Sequence, residues 1–279
     1  MPSTARDLAA RKRRILTHGT PSITGSIADA IVIKAENAFL LTAPDGSIPV
    51  EEGHGLGLYY HDCRYLRGYE LRIAGRCATV LAASAYDGNE ATFQLANPDL
   101  RPGGGALIPK ETIAIRWQRT LDAERPTLHD VLTFRNYGLT AVEIPISLAF
   151  DAAFEDVFAV RGLWEETLGR VRRPTWQKKR LELGYAGKDL RDRRLRIDFS
   201  REPARRAGTT AHFTVSLRAR ASAQLAVTMA IHEHDRTGSR ARSALAHHEG
   251  KPKSRRDGIH SYMDRVGLMN EKSGSLCSR

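Results

Sequence analysis

The sequence predicts an all-β protein, built as a large antiparallel β-sandwich. Three observations predict it. Short apolar or alternating runs recur along residues 30–231, turn-forming Gly, Pro, Asn and Asp separate several of them, and helix signals are few.

The elements follow in order. Ala30-Ile31-Val32-Ile33-Lys34 and Ala38-Phe39-Leu40-Leu41-Thr42 are apolar runs that precede the turn Pro44-Asp45-Gly46-Ser47. Tyr69-Glu70-Leu71-Arg72-Ile73 alternates with the period of a half-buried strand, and Ala74-Gly75-Arg76 turns the chain into Cys77 to Leu81. Further strands are expected at Ala91 to Leu95, Glu111 to Leu121, Leu128 to Arg135, Ala141 to Phe150, Arg194 to Phe199, His212 to Arg218 and Ala223 to Ile231. Leu181, Leu183 and Tyr185 alternate with polar residues, as do Leu195, Ile197 and Phe199, so a β-hairpin there turns apolar side chains inward and bases outward. Helix is expected only as a short basic segment at 4–16 and a single turn within Asp151 to Phe158. After Ile231 the pattern stops. The expected division is a basic extension at 1–27, the sandwich at 28–235, and a basic, disordered tail at 236–279.

Composition narrows the function classes. The chain carries 43 Lys and Arg against 32 Asp and Glu, a net charge of +11, which first suggests an anionic partner. The excess sits at the ends, with +4 in residues 1–20 and +6 in residues 236–279, leaving +1 for residues 21–235. The interior strip Arg170 to Arg206 is basic at +9, yet it carries no zinc-finger, helix-turn-helix or aromatic RNA-binding signature. It reads as a solvated strand face, and nucleic acid is the weaker reading. No apolar run is long enough to span a membrane. Three cysteines, Cys63, Cys77 and Cys277, make an odd count without metal-site spacing, which points to reduced thiols and a cytoplasmic protein.

Three segments carry candidate chemistry. In Gly55 to Leu66, Asp62 and Arg64 are placed to form a buried pair, and on an extended strand His61 and Cys63 share a face, without an orienting acid. In Asp151 to Gly162, Asp151, Glu155 and Asp156 lie near Arg161. Glycoside hydrolysis needs two carboxyl groups about 5–10 Å apart, but a structural Asp156–Arg161 network closing a turn is the preferred reading. His232-Glu233-His234-Asp235, with His247-His248, lacks the held third ligand of a zinc site. No metal or cofactor is expected, and Gly103-Gly104-Gly105 reads as a flexible loop.

Taken in order, these segments resemble the N-terminal domain of bacterial and archaeal glycogen-debranching enzymes of the amylo-α-1,6-glucosidase type. The resemblance rests on the Ile31 to Pro49 hairpin, on Gly57-Leu58-Tyr59-Tyr60-His61-Asp62-Cys63-Arg64-Tyr65-Leu66, on Tyr69 to Gly75, on Asn97-Pro98, and on Arg116 with Arg119. Asn136-Tyr137 and the specific Phe154 to Gly162 motif complete it, and it covers about residues 28–235. Cys63 stands where the family usually has Thr, and Ala159 where it usually has Glu.

The resemblance implies a supersandwich-like fold and a non-catalytic, carbohydrate-associated role, either contacting α-glucan or packing against an α/α-toroid catalytic domain. The segment after Ile231 has neither the length nor the amphipathic helices of such a toroid, so the chain is expected to be an accessory module, as a truncation or frameshift would produce. Sugar-contact or motif candidates are Tyr59, Tyr60, Asp62, Arg64, Tyr65, Glu155, Asp156, Arg161 and Trp164, with no catalytic residue assigned. The alternatives are an autonomous glycoside hydrolase using Asp151, Glu155 or Asp156, and a basic nucleic-acid-binding protein.

Overall fold

The computed structural model describes residues 29–50, 53–86, 88–161 and 169–235. The expected basic extension and tail lie outside these residues.

Eighteen strands form three sheets in which every pairing is antiparallel. The five-stranded sheet is ordered β1 (Ile31–Ala35), β2 (Ala38–Thr42), β3 (Gly57–Tyr60), β4 (Cys63–Leu66), β11 (Glu155–Asp156). The four-stranded sheet is ordered β16 (Arg205–Ala207), β17 (Thr210–Leu217), β10 (Val142–Asp151), β5 (Gly68–Ile73). The third is ordered β12 (Gly169–Val171), β14 (Arg180–Gly187), β15 (Arg191–Phe199), β18 (Ser222–Asp235), β9 (Thr127–Asn136), β8 (Ile113–Leu121), β7 (Glu90–Ala96), β6 (Thr79–Tyr86). Its ninth strand, β13 (Thr175–Gln177), pairs beside β12 on β14. A 3-10 turn at Pro102–Gly104 and one helical turn, α1 (Val157–Val160), are the helical elements among the described residues.

Period-two alternation explains the layers. In β8 the buried positions are Ile113, Ile115, Trp117, Arg119 and Leu121; in β10 they are Ile144, Ile146, Leu148 and Phe150. Side chains from all three sheets meet in one continuous core. Aromatic rings bridge the facing layers: Tyr69 of β5 stacks on Phe150 of β10 and meets Trp117 of β8 edge-on, and Phe199 of β15 packs against Phe150 and Phe213. Burying that much apolar surface stabilises the sandwich by about 25 cal/mol per Å² removed from water.

One ion pair lies inside this core. Arg119 and Asp130 have fully buried side chains, with Arg119 Nε 3.1 Å from Asp130 Oδ2. The Trp117 indole donates to the same carboxylate at 2.8 Å, Arg119 Nη1 donates to the Gly46 carbonyl, and the guanidinium lies 4.1 Å from the Trp117 ring centroid. Buried charge is tolerated only when compensated in this way.

Two expectations are corrected. β18 continues to Asp235, so His232–Asp235 are strand residues paired with Arg191–Arg194 of β15 and do not begin a loose tail. The Gly57–Leu66 segment is two strands, not one, because the chain reverses at His61-Asp62.

The expected basic hairpin is β14 with β15. Its arginines face acids on the same or the adjacent strand: Arg172 with Asp192, Arg180 and Arg196 with Asp198, Arg194 with Glu182. Such half-exposed pairs contribute little each, but they leave the strip largely neutralised as a phosphate platform.

Candidate functional site

The two marked sequence segments meet in space. β3 and β4 form a hairpin whose two-residue turn is His61-Asp62, with φ of 45° and 63°. Two consecutive left-handed residues define a type I′ turn, whose twist matches that of the flanking strands. β11 then adds to β4, setting Glu155 opposite Arg64 and Asp156 opposite Cys63. Gly57 is required at its place: with φ of 156°, a Cβ there would lie 2.6 Å from the Leu66 carbonyl oxygen and 2.7 Å from Arg64 Cδ.

Arg64 is the organising cation. It is 6% exposed; its Nε donates to Glu155 Oε2 at 2.8 Å, Nη2 bonds the same carboxylate, and Nη1 donates to the carbonyls of His54 and Leu56. Arg67 lies 3.8 Å from Glu155 Oε1 and donates to Asp151 Oδ2 at 2.5 Å. Asp156 caps α1, its Oδ1 accepting from the Phe158 amide at 2.9 Å, while the Val157 amide donates to the Asp62 carbonyl. The acids once weighed for hydrolysis are thus occupied in holding the hairpin, β11 and α1 together. The expected Asp62–Arg64 pair is corrected: the carboxylate on Arg64 is that of Glu155, which β11 places directly across the ladder.

The aromatic candidates divide by exposure. Tyr59 is buried, stacked on Phe39 at 4.6 Å, and its hydroxyl donates to the Gly55 carbonyl. Tyr65 is fully buried, edge-on to Phe154, which in turn stacks on Tyr185. Neither offers a ring face to a ligand. Tyr60 is half-buried beside the exposed His61, ring centroids 3.9 Å apart, and Arg161 is exposed. Trp164 lies outside the described residues.

Cys63 and His61 do not combine. The reversal of the chain puts His61 on the exposed turn, while Cys63 is buried, and burial pushes its thiol up to about 12. A thiol held un-ionised is not a nucleophile.

One residue absent from the predicted set proves central. Glu233, on β18, accepts the hydroxyl proton of Tyr65, lies 3.3 Å from His61 Nδ1 and 3.6 Å from Arg193 Nε. Burial and the neighbouring Glu233 charge raise the Tyr60 phenol above its ordinary value. The signal was in the His232-Glu233-His234-Asp235 cluster, but the histidines drew attention to metal binding while the carboxylate between them faces the hairpin.

With this geometry in view, the sequence was compared with known proteins. Residues 33–228 match the family described as the N-terminal domain of (some) glycogen debranching enzymes. The chain belongs to this family. No curated protein matches its sequence. Among solved structures, it is similar to a protein assigned as a kojibiose phosphorylase from the human microbiome. That match has a TM-score of 0.54 and 7% identity over 90% of this chain and 33% of that one. The chain thus spans about a third of that protein's length. Others are a galactose mutarotase related enzyme from Lactobacillus acidophilus (TM-score 0.43, 8% identity, 73% and 97% covered) and a heparan sulfate lyase from Pedobacter heparinus (0.36, 9%, 71% and 33%). At such identities the phosphorylase likeness concerns the fold alone.

Proposed function

We propose that this debranching-enzyme N-terminal-type domain, taken as residues 28–235, is a non-catalytic, carbohydrate-associated module. It contacts α-glucan or packs against an α/α-toroid catalytic domain that performs the hydrolysis. The observation that carries this reading is the double hold of Arg64 and Arg67 on Glu155, in a chain of debranching-enzyme family. A carboxyl group fixed by two guanidiniums is a poor proton donor, so the best-marked acids build the surface and do no chemistry. The surface left for a sugar is the Tyr60 and His61 pair, bordered by Glu233 and Arg193, which offers ring faces and hydroxyl-binding groups together. Free Cys63 and Cys77 suit a reducing, cytoplasmic setting.

Co-sedimentation with glycogen and affinity electrophoresis in α-glucan gels test the contact, and Tyr60→Ala is expected to weaken retention. No retention on any α-glucan removes direct binding and leaves the packing role. Glucose released from a branched limit dextrin by the purified chain, and lost in Glu155→Gln, would overturn the non-catalytic reading.

A further inference from the structure

The nine-stranded sheet ends at β6, which pairs with β7 on one side only. An edge strand exposes unpaired N–H and C=O groups, and monomeric proteins blunt such edges with charge, proline or a cover. β6 reads Thr-Val-Leu-Ala-Ala-Ser-Ala-Tyr, with no charge, proline or glycine. It is also uncovered: Val80 is 41% exposed, Leu81 58% and Tyr86 56%. The register shifts between Val80 and Ala82, so Leu81 bulges and the continuous pairing row is Ala82 to Tyr86.

We propose that this edge pairs antiparallel with the same edge of a second copy, joining two nine-stranded sheets across a two-fold axis at Ser84. Charge selects this occupant and this direction. Arg76 lies exposed just before β6, and Glu90 lies exposed beside Tyr86 at its other end. Antiparallel pairing sets Ala82 against Tyr86 and Ala83 against Ala85, and brings the Arg76 end of each copy to the Glu90 end of the other. Parallel pairing would set Arg76 beside Arg76. The net charge of +11 opposes self-association elsewhere, whereas the uncharged edge lets two copies approach. Because the same strand serves both copies, the contact closes as a dimer and does not propagate.

The test is light scattering on the full chain over rising concentration, with two variants in a Cys77→Ser, Cys277→Ser background. Wild type is expected to rise from 31.0 kDa toward twice that mass. Ser84→Lys, which sets two ammonium groups opposite each other, is expected to hold the monomer mass. Ser84→Cys is expected to cross-link on mild oxidation, because directly opposed residues lie about 4.5–5.5 Å apart, within disulfide reach. Leu139→Lys, on a different loop, serves as the charge control and is expected to dimerise as wild type does. A monomer at all concentrations with no Ser84→Cys cross-link overturns the proposal, as does a dimer that survives Ser84→Lys. So does amide exchange at 82–86 that is slow at every dilution, because the chain's own residues would then cover the edge.

Discussion

The Tyr65 hydroxyl donates to the Glu233 carboxylate, 168 positions away in the chain, and this bond docks the β3–β4 hairpin on the end of β18. Tyr65 is fully buried and Glu233 is mostly so, and an orphaned buried acceptor costs about 1–3 kcal/mol. Tyr65→Phe is therefore expected to lower the melting midpoint by roughly 2–10 °C in a domain of this size. Calorimetry of the two proteins checks it; an unchanged midpoint would show that water replaces the phenol without loss.

Arg64→Lys is expected to destabilise the chain by about 1–3 kcal/mol despite keeping the charge, because an ammonium cannot reproduce the fork that spans Glu155 and the His54 and Leu56 carbonyls. Urea midpoints of Arg64→Lys and Arg64→Ala compare the two losses. Full recovery in the lysine variant would refute the importance of the fork.

In the Arg119–Asp130 pair, either single replacement leaves a charge in the core and is expected to cost about 3–5 kcal/mol. Arg119→Met combined with Asp130→Leu is expected to be more stable than either single variant. A double variant as unstable as the sum of the singles would contradict this account.

Cys63 links stability to alkali. Its folded thiol ionises only at about 12 against an ordinary 9.0, so above pH 9 the unfolded chain loses a proton that the folded chain keeps. The unfolded state then binds fewer protons, and stability falls as pH rises from about 9 to about 12. The complete effect is on the order of 4 kcal/mol. Denaturation midpoints across that range are expected to fall less steeply in Cys63→Ala. At neutral pH, iodoacetamide is expected to label exposed Cys77 and spare Cys63 in the folded protein.

What the sequence made legible follows physical signals that are local. β8, β9 and β10 announce themselves because every second side chain enters the core. The β3–β4 hairpin stayed hidden because His61 and Asp62 occupy turn positions that Asn and Gly usually mark. The last residues of β18 are polar because they pair with Arg191–Arg194, so cross-strand charge extends the strand where hydrophobic alternation has ended. Within the candidate site, the motif residues could be named in advance, but their partners could not. Glu155 reaches Arg64 across 91 positions and Glu233 reaches Tyr65 across 168, separations that only the completed sheets bring together.

The place of β18 also sets the order of assembly. It is the last strand among the described residues, yet it lies inside its sheet, flanked by β15 and β9. Until it emerges from the ribosome, two half-sheets must wait with raw inner edges, and the loop closures that join them are long and slow. Folding of this domain is therefore completed from the middle, by its final segment, and a pause in translation before residue 222 would hold the chain in its most aggregation-prone state.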